Sequence, residues 1–183
     1  MKKVVLLGDS IRLWGYGTAV PALLGEDYRV WQPEDNCRFV KYTLRGLFDW
    51  QNELKDADVI HWNNGLWDCT EIFDDGLFTS EEEYVTNMVR VGKLLLKITP
   101  NVIFATTTPV LDEFEWTHND KIDRFNEIVI PPLKALGIKI NDLNSRLRSD
   151  PVRYIRETDR IHLNEEGIRV CAEQVAEAIK AFD

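Results

Sequence analysis

Five short runs rich in β-branched, leucine and aromatic residues recur along this chain, separated by segments long enough to hold crossover helices. They fall at residues 3–7, 28–31, 58–62, 101–106 and 138–141. Strands that alternate with helices in this way form a parallel sheet with helices on both faces. The sequence therefore predicts a three-layer α/β/α, flavodoxin-like domain with a central, mostly parallel five-stranded sheet.

Two of the helices have clear amino-terminal signals. Ser80 and Glu83 form a capping box ahead of an apolar face, which predicts a helix over residues 80–98. Asn164 is suited to cap a terminal helix. Two further helices are predicted, over residues 43–54 and from Asn119 to the Pro131-Pro132 pair, where the prolines are expected to break or kink the helix.

Length, charge and cysteine content narrow the class of protein. The 183 residues, 44% of them hydrophobic, suffice for one domain of residues 1–183 with a sizeable core. A formal net charge of -9 disfavours nucleic acid and membrane surfaces as partners, and no apolar run approaches transmembrane length. The three cysteines, Cys37, Cys69 and Cys171, lack the paired spacing of a zinc site, and their odd number favours a reducing cytoplasm.

A candidate nucleophile follows the first strand directly. Gly8-Asp9-Ser10 would deliver Ser10 to the carboxyl end of the sheet, where open α/β folds bind their ligands. A serine hydroxyl needs a histidine to take its proton, and that histidine needs a carboxylate to orient it. Asp159 and His162 are three residues apart, close enough to meet on one turn. The three side chains are therefore a candidate catalytic triad.

These residues resemble the four separated blocks of the SGNH (GDSL-type) hydrolases, a family of esterases and acetylesterases. The blocks occur here in the expected order and span most of the chain. They are Gly8-Asp9-Ser10, Glu34-Asp35-Asn36-Cys37-Arg38, His61-Trp62-Asn63-Asn64-Gly65-Leu66-Trp67-Asp68, and Asp159 with His162. The resemblance implies an α/β/α fold and hydrolysis of an ester through an acyl-enzyme.

The resemblance also implies an oxyanion hole, and two of its blocks depart from the usual pattern. The second block of the family offers a glycine N–H, whereas this chain has Cys37 at the nearest position, so the Cys37 N–H is the expected donor. The third block contains two adjacent asparagines, and we expect Asn63 to donate its side chain, with Asn64 as the alternative. The Ser10 N–H would complete the hole.

The sequence thus predicts a serine esterase that needs no metal or organic cofactor. Three tryptophans on expected rim loops, Trp14, Trp67 and Trp116, favour a small-molecule ester with a short acyl group such as acetyl, carried by a carbohydrate. Those loops are also rich in Asp, Glu and Asn and poor in aliphatic runs. One alternative is a lysophospholipase or thioesterase with the same triad. Another is a catalytically silent carbohydrate-binding domain. The sequence leaves the oligomeric state open.

Overall fold

The computed structural model describes residues 1–182, and its centre is a five-stranded sheet. All neighbouring strands are parallel, in the order β2-β1-β3-β4-β5, which is a flavodoxin-like order. The α/β/α fold class is confirmed, and each strand begins and ends within one residue of its predicted limits. The strands are β1 (Lys2–Leu7), β2 (Tyr28–Trp31), β3 (Val59–Trp62), β4 (Val102–Ala105) and β5 (Lys139–Asn141).

Helices cover both faces of this sheet. On one face α9 packs against α2 and contacts β3 and β5, and on the other α5 packs between α3 and α6. The helices are α1 (Ser10–Leu13), α2 (Val20–Leu24), α3 (Val40–Asp49), α4 (Gln51–Leu54), α5 (Glu81–Leu95), α6 (Asn119–Ala135), α7 (Leu143–Arg148), α8 (Pro151–Tyr154) and α9 (Glu165–Lys180), with a 3₁₀ turn at Tyr16–Thr18. None of the helices within residues 1–182 is both long enough and apolar enough to cross a membrane.

The two predicted helix caps are confirmed. Ser80 precedes α5, and its hydroxyl accepts the N–H of Glu83 at 3.3 Å. Asn164 precedes α9, and its Oδ1 accepts the N–H of Gly167 at 3.0 Å. Each side chain thus satisfies one of the N–H groups that a helix leaves without an internal acceptor.

Two helix predictions need correction. The helix expected over residues 43–54 begins earlier, at Val40, and is divided at Trp50 into α3 and α4. Helix α6 continues through Pro131 and Pro132 to Ala135. Pro131 cannot donate to the carbonyl of Glu127 one turn earlier, but both residues are exposed, so water can solvate the free carbonyl and the helix tolerates the proline.

The sheet brings the candidate site residues to one edge. Strands β1, β3 and β4 are almost wholly buried, as the central strands of a parallel sheet should be. Gly8 follows β1 and Asn63 follows β3, so the first and third sequence blocks leave neighbouring strands at their carboxyl ends. The fold therefore places them side by side.

Candidate active site

Ser10 lies at a tight turn between β1 and α1. Asp9 caps α1 by accepting the N–H of Ile11 at 2.9 Å, which fixes the turn that presents the serine. Gly8 is required on steric grounds, because a Cβ there would lie 2.0 Å from Oδ1 of Asn63. As the first residue of α1, Ser10 has no intrahelical acceptor for its N–H.

Arg12 ties this turn to the second sequence block. Its guanidinium is fully buried and donates to the carbonyls of Gly8 (3.1 Å), Pro33 (2.8 Å) and Asp35 (2.7 Å). Because the fork of a guanidinium has fixed geometry, these bonds set the spacing between the serine turn and the segment that carries Asn36. The role of Arg12 in this structure is therefore to hold the backbone together.

Asp159 and His162 form the pair expected from their spacing. Oδ2 of Asp159 lies 3.2 Å from Nδ1 of His162, while Oδ1 accepts the backbone N–H groups of Ile161 (3.1 Å) and His162 (2.9 Å). Burial raises the pKa of Asp159, but the hydrogen bonds from His162 and Ile161 outweigh it and hold the pKa below its usual value. The carboxylate is therefore charged and held in one orientation toward the imidazole.

His162 and Ser10 line the same cleft. The Trp14 ring packs edge to face against the His162 ring, with 5.2 Å between centroids, and both rings line the cleft. The structure thus brings the N-terminal serine and the C-terminal Asp159 and His162 to one cavity, although some 150 residues separate them in sequence.

The second block does not offer the donor expected from the sequence. The Cys37 N–H donates to the carbonyl of Gly8 at 3.1 Å, and the Gly8 N–H donates to the Cys37 sulfur at 3.2 Å. This pair joins the two segments and leaves the Cys37 N–H engaged, so the expectation that it binds an oxyanion is wrong. The neighbouring Asn36 lines the cleft instead, and its Oδ1 accepts the Arg38 N–H at 2.7 Å.

The two asparagines of the third block have different surroundings. Asn64 donates through Nδ2 to the carbonyl of Arg38 at 2.9 Å, and its Oδ1 accepts from Thr43 and from the Trp62 indole. Asn63 accepts the Tyr16 hydroxyl on Oδ1 at 2.7 Å, which leaves Nδ2 as its donor. The Asn64 side chain is thus occupied in packing the second block against the third, whereas the Asn63 side chain bonds to Tyr16.

Asp68, at the end of the third block, fastens the loop that follows β3. It is fully buried and accepts the N–H of Val40, at the start of α3, and the hydroxyl of Thr79. Burial raises the pKa of Asp68 to about 7, although the hydrogen bonds from Thr79 and Val40 act to lower it. The residue joins the 65–79 loop to α3 beneath the cleft.

The cleft has a volume of about 640 Å³ and a largely apolar wall. The three predicted rim tryptophans line it, each between 40% and 55% exposed. Three exposed carboxylates, Glu113, Glu115 and Glu157, lie among its lining residues. The apolar side chains lining the cleft are Trp14, Leu66, Trp67, Ile72, Phe78, Phe114, Trp116 and Ile161.

Other candidate chemistry is absent from the part of the chain that the structure describes. No group of three or more His, Cys, Asp or Glu side chains within residues 1–182 is arranged to hold a metal ion. Burial raises the pKa of Cys37 to about 11 and that of Cys69 to about 12, so these thiols stay protonated and unreactive near neutral pH. Burial likewise lowers the pKa of His61 to about 3, which makes it a neutral core residue.

Sequence reasoning missed two polar residues near the serine. The sequence assigns no role to Tyr16, and it places Asn36 only within the second block, beside Cys37. The one available signal for Asn36 was its side-chain amide at the second block, where the family usually has glycine. Nothing local in the sequence indicates that Tyr16 reaches Asn63, since 47 residues separate them.

No protein-family model matches this sequence, and no curated protein matches it significantly. Solved structures do match. A lipase/acylhydrolase from Enterococcus faecalis is 17% identical and superposes with a TM-score of 0.78 over 99% of this chain and 96% of its own. An acetyl xylan esterase is 20% identical, with a TM-score of 0.78 over 97% and 99% of the two chains. An acetylxylan esterase from Geobacillus stearothermophilus is 16% identical, with a TM-score of 0.74 over 97% and 94%. The chain therefore has the α/β/α fold of these acylhydrolases and esterases, in agreement with the SGNH resemblance of its sequence blocks.

Proposed function

We propose that this chain is a serine ester hydrolase in which Ser10 is the nucleophile, His162 the general base and Asp159 the residue that orients it. The observation that carries the proposal is the Asp159 carboxylate, which two backbone N–H groups hold against Nδ1 of His162 in the cleft that Ser10 lines. The serine, the imidazole and the carboxylate that a catalytic triad requires thus line one cleft. The esterase and lipase names of structures with this fold also support it.

The reaction follows from these positions. The Ser10 hydroxyl attacks the ester carbonyl while His162 takes its proton through Nε2, and Asp159 stabilises the imidazolium that forms. Collapse of the tetrahedral intermediate expels the alcohol, which receives the proton from His162. Water then attacks the acyl-enzyme with His162 again as base, releasing the acid and restoring Ser10.

The charge that develops on the carbonyl oxygen needs hydrogen-bond donors. The Ser10 N–H has no intrahelical acceptor, and Asn63 keeps its Nδ2 for a donor role because its Oδ1 is engaged by Tyr16. We assign these two groups to the oxyanion hole. Asn36, which lines the cleft beside Ser10, is the remaining candidate at the second block in place of the Cys37 N–H.

Replacement of each asparagine by alanine tests this assignment. We expect Asn63→Ala to lower kcat by about 10²- to 10³-fold with a smaller change in KM, because the interaction strengthens as charge develops. Asn64→Ala is the matched control. It should lower the thermal stability, since it leaves buried partners unsatisfied, and should keep kcat within about threefold of the wild type. If Asn64→Ala carries the kcat loss and Asn63→Ala does not, the donors are reversed.

For the substrate, we propose a short acyl ester, acetyl in particular, on a carbohydrate. Rings of Trp14, Trp67 and Trp116 stand exposed around the cleft, as stacking on the apolar face of a sugar requires. Three glutamates line the cleft against one arginine, Arg160, and this excess of negative charge disfavours alcohols that carry phosphate or carboxylate groups. Two of the structures with this fold are named acetylxylan esterases.

One observation favours a second candidate, hydrolysis of a longer acyl ester. Aliphatic and phenyl groups of Leu66, Ile72, Phe78 and Phe114 line the cleft together, although they are dispersed among polar residues in the sequence. A wall of this kind suits an alkyl chain, at about 0.8 kcal/mol for each methylene that it removes from water. The lysophospholipase or thioesterase reading therefore stays as the alternative.

A chain-length series of p-nitrophenyl esters separates the two candidates. We expect kcat/KM to be highest for acetyl or propionyl and to fall beyond butyryl, and we expect acetylated sugars to release acetate. Ile72→Trp, which adds a bulky side chain to the apolar wall at an exposed position, should then affect octanoyl esters more than acetyl esters. Faster turnover of octanoyl than of acetyl esters, with no acetate released from sugars, would transfer the proposal to the longer acyl substrates.

A further inference from the structure

Tyr16 forms a hydrogen bond with Asn63, the proposed oxyanion donor. It begins the 3₁₀ turn that follows α1, it is fully buried, and its hydroxyl donates to Oδ1 of Asn63 at 2.7 Å. The Tyr16 side chain has no solvent-exposed surface, whereas Asn63 is 4% exposed, so Tyr16 cannot itself touch the substrate. Any effect of Tyr16 on the reaction must therefore act through Asn63.

The surroundings of Asn63 distinguish the two ends of its amide. The oxygen receives the Tyr16 hydroxyl and packs against Gly8, where a Cβ would be only 2.0 Å away. Burial raises the pKa of the Asp9 carboxyl, and the Asn63 side chain opposes this by a smaller amount. Of the two ends of the amide, only the amino group can stabilise a carboxylate. The amide oxygen is thus bound to Tyr16, and the amino end faces the serine turn.

Tyr16 is held as a neutral donor. Burial raises the pKa of its hydroxyl well above the usual value, with the Asp9 charge adding to the effect. Its ring meets the His61 ring edge to face, with 5.5 Å between centroids, and Nε2 of His61 lies 3.2 Å from Nδ2 of Asn141. Since the Oδ1 of Asn141 accepts from Gln174, its amino group donates to His61, which stays uncharged. The Tyr16 ring therefore packs against a neutral imidazole.

We propose that Tyr16 is a positioning residue for ester hydrolysis: its hydroxyl fixes the Asn63 amide so that Nδ2 is directed at the developing oxyanion. The inference rests on the proposed function, in which Asn63 is an oxyanion donor. Without the Tyr16 hydroxyl the Asn63 oxygen loses its hydrogen-bond donor, so the orientation of the amide is less restricted. Catalysis depends on donors that are already oriented when charge appears.

The test is a double-mutant cycle of Tyr16→Phe and Asn63→Ala, measured as kcat and KM for p-nitrophenyl acetate. We expect Tyr16→Phe to lower kcat about tenfold with KM nearly unchanged, a part of the ~10²- to 10³-fold loss from removing the donor itself. In the Asn63→Ala background, Tyr16→Phe should change kcat less than about twofold, because the group that it positions is gone.

Tyr84→Phe is the matched control. Tyr84 is also fully buried, and its hydroxyl donates to the backbone carbonyl of Asn64, which keeps a second donor in Thr107. It should reproduce any stability loss caused by deleting a buried hydroxyl, without the loss in kcat. If Tyr16→Phe folds poorly, para-aminophenylalanine incorporated at position 16 supplies a second variant. It retains a donor on the ring and should keep most of the wild-type kcat.

The outcomes separate this inference from the proposed function. If Asn63→Ala lowers kcat as expected while Tyr16→Phe has no effect, or adds its full effect in the double variant, Asn63 is a donor and Tyr16 does not position it. If Asn63→Ala leaves kcat unchanged, the oxyanion assignment itself is wrong and the role of Tyr16 is lost with it.

Discussion

Replacing Ser10 by alanine should abolish nearly all ester hydrolysis, with kcat falling by up to about 10⁶-fold, as in dissected serine hydrolases. Without the hydroxyl no acyl-enzyme forms, and what remains is the acceleration due to substrate binding and the oxyanion donors. The measurement is the steady-state kcat of the pure variant, together with labelling by a fluorophosphonate and peptide mapping. Label should appear on Ser10 of the wild type and be absent from Ser10→Ala.

Ser149→Ala is a suitable control, since Ser149 is exposed at the end of α7 and does not line the cleft. It should keep both activity and labelling. Full activity in Ser10→Ala, or label on Cys37, would contradict the assignment. The raised pKa of Cys37 argues against the second result, because burial keeps this thiol protonated. Absence of any labelling in a folded wild type would favour the catalytically silent binding domain.

Asp159→Asn should lower kcat by about 10⁴-fold, the size found when the triad carboxylate of a serine protease is changed to an amide. The structure supplies the reason for this chain. The N–H groups of Ile161 and His162 bind one carboxylate oxygen and would keep the asparagine oxygen there. The amino group would then face Nδ1 of His162 and donate to it. The imidazole would carry its proton on Nε2, where it cannot accept the proton of Ser10.

The control for this variant is Asp150→Asn. Asp150 is exposed and its side chain caps no N–H of α8, so its neutralisation should leave kcat unchanged. The circular dichroism spectrum and melting temperature of Asp159→Asn should show a folded protein, since the backbone hydrogen bonds survive in the amide. Reversal of the His162 tautomer predicts a much larger loss than tenfold. If kcat of Asp159→Asn stays within about tenfold of the wild type, another group orients His162.

The contacts of the candidate site could be predicted where both interacting residues lie in one short segment of the chain. Asp159 and His162 meet because they are three positions apart on one turn, and Asp9 caps α1 because it directly precedes the helix. The Cys37 N–H was assigned wrongly for the opposite reason. Its acceptor, the Gly8 carbonyl, lies 29 residues away on a different segment, and no local pattern indicates that the N–H is already occupied.

The five strands, their alternation with helices, and the serine and Asp-His segments at the two ends of the chain could be predicted from the sequence, because local periodicity and turn chemistry depend on adjacent residues. Which hydrogen-bond donors remain free depends on the folded structure, since groups from distant segments compete for the same partners. In the folded protein the Asn64 amino group donates to the Arg38 carbonyl, and the Tyr16 hydroxyl donates to Oδ1 of Asn63. The fold also gathers Leu66, Phe78 and Phe114 into an apolar wall, because the loops after the parallel strands converge at one edge of the sheet.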